Sequence, residues 1–285
     1  MKKEVNRAGA QIIRTLAKLL MKNIEKIPFT DLYLVYPVLQ SKDCPKTLPH
    51  LIKNCILNSP DKMKELVNSA VSSVETLLLL GEDKSSRIVR DIIEWIKQQQ
   101  LEDGGWHWRP KQKLPKGAES EVWITLAVHN LLTRTEGADQ TYLRRVRNYL
   151  CYSLEKMPEN LRGWSRLAHV RTALLMLKDP KFEPSAKIKA KKFLQKTIEE
   201  IRFQQLPNGG WAGSEKTMQG GIFQTAMVLD ALIQAGLDLK DNSVEKGFVF
   251  MIQRMDKLLR AKWSGVLLQA LFIFANILVE LQLTD

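Results

Sequence analysis

Four tryptophans, Trp106, Trp164, Trp211 and Trp263, recur in equivalent settings, 58, 47 and 52 residues apart. That interval is the length of a two-helix repeat with its loops. An amphipathic run precedes each of them, at about 87–100, 140–155, 186–205 and 243–260. A more apolar run follows each, at about 119–133, 164–177, 220–236 and 264–282. In the first run Val89, Ile92, Ile93 and Ile96 fall at helical spacing, with Arg90, Glu94 and Lys97 on another face. That pattern predicts a helix with one buried stripe. Thr225 to Ile233 is apolar nearly all round, which predicts a helix buried on every side. Each unit therefore reads as an outer helix, a loop and an inner helix.

Residues 1–58 repeat less clearly. Helices are predicted there and just beyond at about 6–25, 30–40, 46–58 and 60–81, punctuated by Pro28, Pro45 and Pro60. The whole chain, 1–285, then holds roughly twelve helices in six pairs. The expected fold is a single all-α domain, an (α/α)6 barrel with an inner and an outer ring. An open solenoid of the HEAT kind is the alternative.

The loops carry their own pattern. QQQLEDGGWHW spans 98–108 and RFQQLPNGGWAG spans 202–213. Paired glycines permit positive φ where an outer helix stops and the chain reverses. The tryptophan can plug the gap between repeats, and a glutamine amide can bond free helix-end groups. Trp106 and Trp211 are thus read as stabilising residues. Glu119 is a candidate cap of the following helix. The segment 106–118, with WHWR and a basic stretch, reads as a lid over the barrel mouth or as an ordinary surface loop.

These residues resemble the repeat of the squalene–hopene cyclase and prenyltransferase superfamily. Gln98 to Trp106 and Gln204 to Trp211 look like its QW motif, and Trp164 and Trp263 look like degenerate copies without Gly-Gly. The resemblance covers roughly residues 60–283. It implies an (α/α)6 barrel around an apolar cavity. Class II cyclases of that superfamily begin an inner helix with Asp-x-Asp-Asp-Thr, whose middle Asp protonates the substrate. Here Thr76, Thr125, Thr172 and Thr225 each precede an apolar run. With those threonines matched, the middle position holds Val74, Trp123, Val170 or Phe223, and none can donate a proton. The next position holds Glu75, Ile124, Arg171 or Gln224. The first holds Ser72, Glu121, Ala168 or Gly221. The usual acid motif is therefore absent. Neither the zinc set of protein prenyltransferases nor a DDxxD metal motif is present, so no metal and no other cofactor is expected.

The candidate catalytic acids are Glu75, Glu121 and Asp230. Arg171, His169, Trp123, Gln224 and Phe223 are the candidate substrate-binding residues. A charge near the start of an inner helix is costly unless paired or used. In an apolar cavity a carboxyl pKa rises, which suits a general acid. Arg171 can hold a diphosphate or carboxylate through two hydrogen bonds. Trp123 can face a cationic or apolar ligand. The competing reading makes Glu75, Glu121 and Arg171 a structural ion-pair network. Asp230, amid apolar residues, demands a partner. His129 reads as a satisfied core histidine.

The net charge is +12. That balance suits an anionic partner: a phosphorylated small molecule, a membrane surface or a nucleic acid. No nucleic-acid motif accompanies it. The densest run, Lys187 to Lys192, reads as the solvated face of an outer helix, with a docking patch as the alternative. Cys44, Cys55 and Cys151 form no CxxC pair and suit a reducing compartment as buried, inert thiols. Arg14, Lys18 and Lys22 interrupt any signal-peptide core. Gln269, Asn276, Glu280 and Gln282 make the C-terminal run a buried helix and not a membrane span. A soluble, cytoplasmic protein is expected. The functional expectation is a terpene cyclase-like enzyme, an isomerase or lyase by type. It would bind an isoprenoid or related apolar substrate in the barrel and direct its cyclisation without the usual acid motif. Peripheral contact with a membrane surface is a further expectation that the positive charge allows. The alternatives are a non-catalytic barrel that binds a lipid or protein partner, and a carbohydrate-active α/α-barrel enzyme with paired acids.

Overall fold

Apolar residues recurring at helical spacing along the whole chain give helices along the whole chain. A computed structural model describes all residues except 1, 27–28, 30–31, 33–34, 42–43, 138–139, 158–162, 213–217, 255–265 and 284–285. The described residues form thirteen α-helices and no strand. In chain order they are α1 (Lys2–Asn23), α2 (Tyr36–Leu39), α3 (Leu48–Leu57), α4 (Pro60–Met63), α5 (Val67–Leu79), α6 (Arg87–Gln98), α7 (Val122–Glu136), α8 (Thr141–Glu155), α9 (Gly163–Lys178), α10 (Pro184–Phe203), α11 (Met218–Gln234), α12 (Asn242–Ile252) and α13 (Val266–Leu283). Proline stands in the first turn of α2, α3, α4 and α10, where its missing N–H has no intrahelical partner to lose. Asp241 caps α12, its carboxylate accepting from the backbone N–H groups of Ser243 and Val244.

The single helix expected over 60–81 is two helices. Leu66 is extended, and the N–H of Val67 donates to the carbonyl of Trp108 at 2.9 Å. A loop carbonyl from the next unit replaces a helical acceptor, so α5 starts afresh. The cap of α7 is Glu121 and not Glu119, and the Glu121 side chain makes no capping bond.

Burial separates two helix types. In α6 the buried residues are Val89, Ile92, Ile93 and Ile96; in α10 they are Ala190, Leu194, Thr197 and Ile201. Each set is one stripe. By contrast Thr225 to Leu232 of α11 is buried without interruption. Helices α5, α7, α9, α11 and α13 are the core elements, each packing on the next. Helix α6 packs on α5, α8 on α7 and α9, α10 on α9, and α12 on α11. At the N-terminal end α1 and α2 pack on α13, and α3 packs on α1 and α5. No helix among the described residues is long and apolar enough to cross a membrane.

The Gly-Trp loops tie successive units in the same way twice. Trp106 is fully buried, and its indole N–H donates to the carbonyl of Ile96 at 2.7 Å. Trp211 donates to Ile201 at 2.7 Å. The backbone N–H of each tryptophan donates to a core-helix hydroxyl, Thr125 or Thr225. Gln100 donates to the carbonyls of Gly104 and Tyr142, and Gln205 to those of Gly209 and Ser243. The tying glutamine is thus Gln100, not Gln98, and it reaches the first turn of α8. Gly104 and Gly209 have φ of +95° and +87°. A Cβ at Gly104 would meet the Arg145 carbonyl oxygen at 2.6 Å, and one at Gly209 that of Lys246 at 2.4 Å. Two glycines are required there for both the turn and the close approach. Trp263 and the Trp164 side chain lie outside the described residues.

Candidate functional site

The core helices reach solvent along narrow stripes. On α7 the exposed side carries Trp123, Ala127, Asn130 and Arg134, at steps of four, three and four residues. On α9 it carries Arg171, Leu175 and Lys178; on α5, Glu75 with Leu78 and Leu79; on α11, Phe223 and Gln224. Five of the eight residues singled out from the sequence therefore lie on these stripes. His169 and Asp230 are buried.

The stripes are linked by two charged pairs. An Arg134 guanidinium N–H donates to the Glu75 carboxylate at 2.5 Å, joining α7 to α5. Arg171 donates to Asp230, joining α9 to α11, and Gln234 Nε2 donates to the other oxygen of Asp230 at 2.9 Å. Both pairs span 59 residues of sequence, with acid and base exchanged. Burial pushes the Glu75 carboxyl up from its ordinary pKa, and the charge of Arg134 pulls it only partly back.

The Arg171–Asp230 pair is asymmetric. The Asp230 side chain is 3% exposed and that of Arg171 39%. Asp230, expected as an acid, is engaged on both oxygens and pairs with a partly exposed arginine. A guanidinium has five N–H donors, so Arg171 retains donors for an anionic group.

Glu121 stands apart at the start of α7. Its carboxylate accepts from the indole N–H of Trp123, and His107 Nε2 lies 3.3 Å from its other oxygen. His107 Nδ1 accepts the backbone N–H of Arg109 at 3.0 Å, and Nε2 is the ring nitrogen nearer Glu121. The His107 ring stacks on Trp108, and the Arg109 guanidinium lies 4.5 Å from the Trp108 ring centre. Loop 106–118 is tied down at both ends of this cluster, through the Trp108 carbonyl and through Lys111 N–H donating to Gln99.

The expected network of Glu75, Glu121 and Arg171 does not form. Each has a different partner: Arg134, Trp123 with His107, and Asp230. Nor do Glu75 and Arg171 sit at helix starts. Each is the ninth residue of its helix, α5 or α9, because those helices begin further upstream of the threonine column. Glu121 alone is at a start. Sequence reasoning missed Arg134 and Asn130. Their signal was the step from Trp123 along α7, visible only once the exposed side of that helix is known.

His129 is 1% exposed, in agreement with a core position, but it is not satisfied. Neither ring nitrogen has a hydrogen-bond partner, and Nε2 is 3.9 Å from Asp179. Burial holds its pKa below the ordinary value. The three cysteines are free and only half-buried, with thiol pKa values raised by desolvation. No group of three or more metal-ligating side chains occurs among the described residues.

No protein-family model matches the chain, and no curated protein does. Among solved structures, the crystal structure of a protein from Actinoplanes is similar at a TM-score of 0.58 and 14% identity. The similarity covers 89% of this chain and 90% of that one. Likeness at such low identity establishes a shared fold and nothing about activity.

Proposed function

We propose that the helices close into an (α/α)6 barrel of the terpene cyclase-like kind, and that its inner side binds an apolar small molecule bearing a diphosphate or carboxylate. The run of contacts from α5 through α13 to α1, α3 and back to α5 supports a closed ring. The repeated Gln–Gly–Gly–Trp staple supports the kinship. In this arrangement the stripes of α5, α7, α9 and α11 face the interior. The observation that carries the reading is Arg171, paired with buried Asp230, whose other oxygen is taken by Gln234, while the Arg171 side chain stays 39% exposed. Leu78, Leu175, Phe223 and Trp123 supply apolar surface on the same stripes.

For the reaction, Glu75 is the carboxyl whose surroundings favour the protonated form. In an isomerising cyclisation its proton adds to an alkene carbon and the resulting cation closes the ring. Loss of a proton from the product then returns the acid. Arg134 restrains this step by favouring the carboxylate. That opposition, and the engagement of every named acid by a partner, favours a non-catalytic ligand-binding barrel as the second reading.

Mass spectrometry of organic extracts from the purified protein tests the proposal. A prenyl or related amphiphile should accompany the wild type and be lost from a folded Arg171→Ala variant. A bound glycan, or the same extract from both proteins, overturns it. Turnover of that compound, present in the wild type and absent in Glu75→Gln, separates the enzyme from the binding protein.

A further inference from the structure

A second feature lies on the flanking helices, at the seam between α8 and α10. Lys189 of α10 and Glu155 of α8 pair across it at 2.6 Å. A half-open groove of about 210 Å³ lies at this seam, with Cys151, Leu154, Met176, Ala186 and Phe193 among its lining. On the solvent side of these two helices two large side chains are exposed, Tyr152 on α8 at 60% and Ile188 on α10 at 59%. Lys156 Nζ lies 6.0 Å from the Tyr152 ring centre. Lys191 and Lys192, within one turn of Ile188, are exposed and have no carboxylate partner among the described residues. The outward meridian of α10 runs Ile188, Lys192, Gln195, Glu199 and Phe203, and Phe203 is 92% exposed.

An apolar groove alone names no partner. Here exposed apolar side chains stand among unneutralised lysines, on a chain of net charge +12. Phosphate-rich polyanions such as nucleic acid would meet the lysines but give Ile188 no role. A lipid surface meets both: lysines attract anionic headgroups, and apolar side chains enter the headgroup–acyl boundary. We propose that the α8–α10 face docks on an anionic phospholipid surface, with Lys156, Lys191 and Lys192 toward the headgroups and Tyr152 and Ile188 in the boundary layer.

Vesicle flotation tests this, using phosphatidylcholine alone and phosphatidylcholine mixed with phosphatidylglycerol. The full chain should float with the mixed vesicles only, and less as salt is raised. Lys191→Gln/Lys192→Gln should lower partitioning about 30-fold. Ile188→Ser should lower it about tenfold or more. All three side chains are exposed, so melting temperatures should not change, and circular dichroism checks that. Flotation with neither vesicle, equal flotation with both, or undiminished flotation of the folded variants overturns the proposal.

Discussion

Trp211→Ala is the sharpest test of the loop staple. The side chain is 3% exposed and its N–H is bonded to the carbonyl of Ile201. Truncating a buried aromatic costs about 3–5 kcal/mol. Leaving the Ile201 carbonyl without its donor adds about 1 kcal/mol. The sum, about 4–6 kcal/mol, is a large share of the roughly 5–15 kcal/mol that holds a typical protein together. At about 2–4 °C per kcal/mol for a chain of this size, the melting temperature should fall by roughly 8–24 °C. Trp211→Phe keeps most of the packing and should lose only a minor part of that. Thermal unfolding followed by circular dichroism reads both variants. Ligand binding below the transition should survive, because Trp211 is not on an exposed core-helix stripe. A melting temperature within about 2 °C of wild type, or unchanged stability with lost binding, refutes the structural role.

Gly104→Ala should destabilise more than Gly81→Ala. Both have positive φ, which costs roughly 1–2 kcal/mol for alanine, but only at Gly104 does the new Cβ also meet a backbone oxygen; urea unfolding of the two variants ranks them. His129 predicts an acid-sensitive fold. Its folded pKa lies below the unfolded value, so its contribution is present above pH of about 6.5 and is lost as pH falls through the lowered value. Urea midpoints on either side of that pH should fall more for wild type than for His129→Gln. Equal declines would remove His129 as the cause. Glu75 has the opposite sign. Its raised pKa means the ionised form weakens folding at neutral pH, so Glu75→Gln should leave the melting temperature at pH 7 nearly unchanged. A large loss would make the Arg134 pair structural.

The sequence exposes what depends on period. The stripe of α6 and the uninterrupted burial of Thr225 to Leu232 are both readable from the spacing of apolar residues. The recurring tryptophans mark the loops for the same reason. What it hides depends on how helices are staggered. Gln98, Gln99 and Gln100 are indistinguishable until the end of α6 is known to face Tyr142 of α8. The break before α5 arises because Trp108, about forty residues on, supplies the acceptor for Val67. Glu75 was legible as a charge amid apolar residues, but its partner Arg134 was not, since pairing across α5 and α7 is set by axial offset and not by local pattern.

Calorimetric titration of a prenyl diphosphate into wild type and Arg171→Ala tests the central claim most directly. The account predicts measurable binding by the wild type. Truncating one partner of a hydrogen-bonded charged contact typically costs about 2–5 kcal/mol, so the variant, assayed below its unfolding transition, should bind at least about 30-fold more weakly; its melting temperature should also fall, because Asp230 is left buried without its cation. No binding by the wild type, or equal affinity in the two proteins, contradicts a ligand site on the exposed side of the core helices.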